Sequence, residues 1–160
     1  MKQDGRSSIP LRKRCISALA DIRHLFVTTD SRWQAVKWFL GRKKPALSYK
    51  LLNEDGLVEN EAHEMKLDES KVTVTEDFFD KDAYIFENSG CREVSIQADG
   101  KAAVTVTFDA PVFGLWSPVG KKVPFICIEP WYGRADAADF ERKTFKNVHG
   151  RMKLEPGKNF

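Results

Sequence analysis

The residues best suited to chemistry lie in the stretch Pro124–Asp136, where a carboxylate ends an apolar run. Glu129 follows Phe125–Ile128 and precedes Pro130. Proline favours extended backbone in the residue before it and has no N–H to donate, so we expect the strand to end there. Trp131 lies two residues after Glu129, on the same side of an extended chain. An acid beside an indole ring suits a sugar, whose C–H face packs on the ring while its hydroxyls bond the acid. The plainer interpretation is a surface glutamate beside a core tryptophan.

Two other stretches hold candidate binding residues. Asp82 ends the acidic segment 76–82, directly before the apolar run Ala83–Phe86. A solvated turn before a strand is the plainer interpretation of that segment. Trp116 follows Gly114, where a glycine in a strand indicates a bend or a close approach of the backbone. On sequence grounds alone, Trp116 is expected in the core.

Several classes of site are not indicated. The three histidines, His24, His63 and His149, have no metal-ligand spacing, so we expect no metal. The glycines are too scattered for a phosphate-binding loop, and we expect no cofactor. The three cysteines are far apart and odd in number, which argues against a disulfide framework and fits a reducing compartment. With no run of 18 apolar residues and no clear signal peptide, we expect a cytoplasmic protein.

The elements that must position these residues are strands. Alternation of apolar and polar residues predicts strands at Lys71–Glu76, Val94–Gln97 and Val104–Asp109. The second and third of these are expected to form a hairpin through Asp99 and Gly100, since Asp-Gly suits a tight turn. Phe125–Ile128 is apolar throughout, as in a central strand covered on both faces. Short strands separated by turn signals predict an all-β, antiparallel sandwich.

The first part of the chain differs from the rest. Residues 1–50 carry 12 Lys and Arg against 3 Asp and Glu, whereas the remaining 110 carry 14 against 20. Helical spacing between Ile16 and Phe26, and Ser31 as a cap for residues 31–40, predict short helices there. The charge split has two interpretations: a basic arm for nucleic acid, or a segment of different origin from the rest, such as a shifted reading frame.

Three blocks of the sequence resemble one known family. The run PVFGLWSPVGKKVPFICIEPWYGRADAADF, the earlier DFFDKDAYIFENSG and the terminal LEPGKNF look like the C-terminal half of the aldose 1-epimerase (galactose mutarotase-like) family, closest to a bacterial branch found with lactose genes. The resemblance covers residues 48–160 and implies a partial β-supersandwich, with residues 1–47 unassigned.

The resemblance also implies a reaction and its residues. Mutarotases interconvert the α and β anomers of a free aldose without a cofactor. Glu129 stands at the position of the general base, Asp82 at that of an aspartate binding sugar hydroxyls, and Trp116 and Trp131 line the pocket. The small-molecule partner implied is an aldohexose, with neither nucleic acid nor a membrane.

The departures from the family bear on activity. The family's acid histidine lies in a glycine-rich His-Pro segment that residues 1–47 do not match, and we do not assign its role to His24. Family members are also longer, so we expect a truncated or disrupted product with little or no activity alone. Two alternatives remain open: a non-catalytic carbohydrate-binding module, and a nucleic-acid-binding protein that uses its basic first 50 residues.

Overall fold

The computed structural model describes residues 35–39, 44–98, 101–121, 125–141, 144, 147–149, 153 and 155–158, with the backbone alone at 35–39, 98, 101 and 103. No α-helix occurs in these ranges. They contain the strands β1 Ala35–Phe39, β2 Ala46–Tyr49, β3 His63–Lys66, β4 Lys71–Val72, β5 Tyr84–Glu87, β6 Glu93–Ala98, β7 Lys101–Thr107, β8 Val112–Trp116 and β9 Cys127–Trp131.

The strands form three sheets, and every pairing between them is antiparallel. The strand order is β4-β1-β6-β7 in the first sheet, β2-β3 in the second and β5-β8-β9 in the third. Lys50, just after β2, exchanges two backbone hydrogen bonds with Ile85 of β5, with N···O distances of 2.9 and 3.0 Å. These bonds attach the second sheet to the third. The all-β, antiparallel fold predicted from the sequence is confirmed.

One apolar core draws side chains from all three sheets. Val94 and Ile96 of β6 contribute from the first sheet, and each is completely buried. Leu47 contributes from the second sheet, while Phe86 and Phe113 of the third stack with ring centroids 4.7 Å apart. Burying each such side chain contributes about 1.5–3 kcal/mol, so core burial holds the layers of the sandwich together.

The predicted hairpin is confirmed as the pair β6–β7. Its register runs from Glu93 opposite Thr107 to Ala98 opposite Lys101, with a shift between Ile96 and Gln97. Residues 99 and 100, the expected Asp-Gly tip, lie outside the described residues. The alternation of apolar and polar residues predicted this hairpin correctly because one face of the hairpin packs into the core.

The helix predicted over residues 31–40 is wrong where the structure describes it, because Ala35–Phe39 is strand β1. β1 lies between β4 and β6 and pairs with both. Two neighbouring strands satisfy its backbone groups, and this tertiary pairing overrides the weak local capping signal of Ser31. The stretch 1–47 therefore includes a strand of the first sheet. The helical spacing between Ile16 and Phe26 lies outside the described residues.

The strand predicted at Lys71–Glu76 is shorter than expected. Only Lys71–Val72 is strand, paired with Lys37 and Val36 of β1. Val74 is nevertheless buried at 7% exposure. Its apolar character thus reflects core packing rather than further pairing.

Candidate functional site

The third sheet has two faces of different character. One face packs into the apolar core through Phe86, Phe113, Leu115 and Ile128. The alternation of side chains along each strand, together with the register between strands, places a second set of residues on the opposite face of the sheet. We call it the tryptophan face, and its members are Ile85, Glu87, Val112, Gly114, Trp116, Cys127, Glu129 and Trp131. Three of the four site residues predicted from the sequence are thus brought to one surface.

The register of β8 with β9 arranges that surface in rows. Val112 pairs with Trp131, Gly114 with Glu129, and Trp116 with Cys127. Successive rows on one face are two residues apart, or about 7 Å along the strand. Glu129 therefore occupies the middle row, with one tryptophan in the row on each side.

Glu129 is buried, at 7% exposure, and so is not the surface glutamate of the plainer interpretation. The expected end of the strand at Pro130 is wrong, because β9 continues to Trp131 and Pro130 pairs with Phe113. In the described sheet β9 is an edge strand rather than the central strand expected. Proline is tolerated on an edge strand, where its missing N–H need not face a neighbour. The continued strand keeps Glu129 and Trp131 on one face.

Gly114 lies opposite Glu129 and touches the ring of Trp131. A Cβ added to Gly114 would lie 2.7 Å from both Cη2 and Cζ2 of that indole and 3.4 Å from Cε2. The six-membered part of the ring thus occupies the space that a side chain at position 114 would need. The close approach indicated by Gly114 in the sequence is an approach of Trp131.

Trp116 and Asp82 lie at one end of this sheet. Trp116 is half-buried rather than a core residue. Tyr84 pairs with Leu115, which places the residues just before β5 at the same end as Trp116. Asp82 is one of these, is half-buried, and has a φ of +67°, a left-handed conformation that a residue with a side chain rarely adopts. Its N–H donates to the carbonyl oxygen of Phe79 at 3.0 Å.

A charged cluster that the sequence analysis missed lies at the other end of the tryptophan face. Arg134 donates from Nε to Oε1 of Glu87 and from Nη1 to the carbonyl oxygen of Ala135 at 2.7 Å. His149 Nε2 lies 3.2 Å from the same Oε1, and Lys50 Nζ lies 3.8 Å from Oε2. Arg134 is 47 residues from Glu87 in sequence, so no local pattern joins them.

The electrostatics of this cluster keep Glu87 ionised. Burial by itself raises the pKa of Glu87, but the hydrogen bond and charge of Arg134, together with His149 and Lys50, outweigh burial and leave that pKa below its ordinary value. Glu87 pairs with Val112, which in turn pairs with Trp131. The ion pair of Glu87 with Arg134 therefore lies at one end of the face that carries Glu129.

Within the described residues, no three His, Cys, Asp or Glu side chains converge as metal ligands. Nor does that part of the chain contain a helix long and apolar enough to cross a membrane. What the tryptophan face offers is a carboxylate in the row between those of two tryptophans, residue types suited to a neutral polyhydroxylated ring.

No protein family matches the sequence, and no curated protein does. Two solved structures are similar. The first is a galactose mutarotase related enzyme from Lactobacillus acidophilus, with 25% identity and a TM-score of 0.67 over 86% of this chain and 47% of that one. The fold is galactose mutarotase-like. The second is a galactose mutarotase-like protein from Lactobacillus casei ATCC 334, with 19% identity and a TM-score of 0.61 over 71% of this chain and 41% of that one. The chain spans about half the length of these galactose mutarotase-like neighbours or less.

Proposed function

We propose that this chain carries the sugar-binding sheet and the general base of an aldose 1-epimerase. The observation that supports this most directly is the middle-row position of Glu129, between the rows of Trp116 and Trp131. The likeness to a galactose mutarotase related enzyme, covering 86% of the chain, supports a carbohydrate substrate.

In the proposed reaction, Glu129 accepts the proton of the C1 hydroxyl of a pyranose. The electrons of that O–H bond form the C1 carbonyl as the C1–O5 bond breaks, and the ring oxygen takes a proton from an acid. Rotation about C1–C2 and reclosure of the ring then give the other anomer. A positioned base of this kind typically contributes about 10²–10⁴-fold to the rate.

The other predicted residues have binding roles in this proposal. Trp131 and Trp116 supply apolar rings on either side of the carboxylate, so that the C–H face of the sugar packs on indole while hydroxyls reach Glu129. Asp82, at the Trp116 end of the sheet, accepts hydrogen bonds from sugar hydroxyls.

A non-catalytic carbohydrate-binding module is the second candidate, and one observation favours it. The histidines in the described part of the chain lie beside other groups. His63 Nε2 is 3.7 Å from Glu59 and its ring lies beside Tyr49, while His149 Nε2 is 3.2 Å from Glu87. We assign neither of them as the acid that protonates the ring oxygen. Sugar binding with very slow turnover is the outcome expected of the chain by itself.

Replacing Glu129 by Gln separates the two functions. Polarimetry on freshly dissolved α-D-galactose measures turnover, and isothermal titration calorimetry with the equilibrated sugar measures binding. For a base, we expect Glu129→Gln to abolish the catalysed rate while affinity changes less than about tenfold. Asp109→Asn, at an exposed carboxylate outside the site, is the control and should change neither quantity. Wild-type binding without any catalysed rate would favour the binding module, and no binding of any aldose would refute both functions.

A further inference from the structure

We infer that Gly114 is the positioning residue that sets where the Trp131 indole lies beside Glu129, and hence which sugars the site accepts. This inference rests on the proposed function, since it concerns the same sugar site. Gly114 itself touches no reacting atom in it. Its contribution is the absence of a side chain at the one position of β8 that pairs directly with Glu129.

The cross-strand geometry brings the Trp131 indole against Gly114. Trp131 is two residues beyond Glu129 on β9, and its ring reaches diagonally back to Gly114 of β8. Any other residue at position 114 would place its Cβ 2.7 Å from two ring carbons. Carbon atoms pack best at about 3.5–4.0 Å, so the ring would have to move by about 1 Å.

The surroundings limit where a displaced ring could go. Trp131 packs against a small cluster formed by Val58, Ile85 and Val112, of which Val58 and Ile85 are almost completely buried. Movement deeper into that cluster is therefore blocked, since well-packed side chains leave few voids. The remaining direction is outward from the sheet, on the side where the proposed function places the sugar.

With glycine at position 114, the Trp131 indole packs directly against β8, in the space that a side chain would fill. With alanine or a larger residue, the same indole has to move away from β8. Under the proposed function, glycine at this position therefore keeps the indole clear of the sugar, and a bulkier residue would narrow the site.

A double-mutant cycle tests this role. Titrations with D-galactose compare wild type, Gly114→Ala, Trp131→Phe and the double variant. We expect Gly114→Ala to weaken binding about tenfold or more, since misplacement by about 1 Å commonly has effects of this order or larger. In the Trp131→Phe background, the smaller ring does not reach position 114, and the same change should weaken binding less than twofold.

The control is Gly120→Ala, which adds a methyl group at a φ of +65° with no atom within 4 Å. It should lower the melting temperature and leave galactose affinity unchanged. In protein labelled with fluorotryptophan, the ¹⁹F resonance of Trp131 should shift in Gly114→Ala but not in Gly120→Ala.

The outcomes separate the inference from the function on which it rests. If wild type binds galactose and Gly114→Ala binds equally well, the inference is overturned and the proposed function stands. Equal weakening by Gly114→Ala in the wild-type and Trp131→Phe backgrounds would also overturn it, because the effect would not pass through the indole. If wild type binds no aldose at all, the proposed function and the inference both fall.

Discussion

The guanidinium of Arg134 is buried against the carboxylate of Glu87, with Nε 2.5 Å from Oε1, and only 3% of the Arg134 side chain is exposed. The contact joins the segment after β9 to β5, across the intervening strand β8. It also lies at the end of the tryptophan face nearest Trp131. Glu87 and Arg134 therefore tie the chain that carries Glu129 to the far edge of its sheet.

Replacing Arg134 by Met should destabilise the protein by about 3–5 kcal/mol, because it leaves a largely buried carboxylate with weaker partners. Urea denaturation followed by circular dichroism measures the change. Arg92→Met is the control, since Arg92 also pairs with a carboxylate, that of Asp109 at 3.1 Å, but the two side chains are 58% and 87% exposed. That variant should change stability by no more than about 1 kcal/mol. Equal losses in the two variants would contradict a special role for the buried pair.

The same pair predicts a pH dependence in acid. Since the pKa of Glu87 is lower in the folded state than its ordinary value of 4.5, its contribution to stability is present above about pH 4.5 and is lost as the pH falls through the folded-state value. Unfolding free energies measured between pH 6 and pH 3 should therefore fall less steeply for Glu87→Gln than for wild type. Parallel curves would contradict the prediction.

The local sequence pattern predicted the structure correctly where one face of an element packs into the core, as in the β6–β7 hairpin. It also predicted that Glu129 and Trp131 lie on the same side of their strand. It failed for β1, where pairing with β4 and β6 decides the structure, and for Pro130, which is tolerated because β9 is an edge strand. The Glu87–Arg134 pair could not be predicted, because its partners meet only after three strands have assembled.

Asp82 and Asn88 allow a test of stability against function. Both have positive φ, at 67° and 49°, so glycine relieves backbone strain at either position. We expect Asp82→Gly and Asn88→Gly each to leave stability unchanged or to raise it by up to about 1 kcal/mol. If Asp82 binds sugar hydroxyls, only Asp82→Gly should weaken galactose binding, by about tenfold, the loss expected for one charge-assisted hydrogen bond. Unchanged affinity in Asp82→Gly would remove Asp82 from the site.

The Cys127 thiol should not react with thiol reagents in the native protein. Cys127 is the first residue of β9 and lies two residues before Glu129. Burial, and then the charge of Glu129, raise the pKa of Cys127 to about 11, and the residue has no exposed surface. Since the thiolate is the reactive form, Ellman's reagent at pH 8 should modify neither Cys127 nor the buried Cys91 in a Cys15→Ser variant. Adding 8 M urea should then release two equivalents of thiol per chain, which serves as the internal control. Rapid modification of either thiol in the native variant, with no urea, would contradict this prediction.

The raised pKa of Cys127 also means that Cys127 contributes stability below about pH 9 that is lost as the pH rises towards 11, so Cys127→Ala should reduce the alkaline loss of stability.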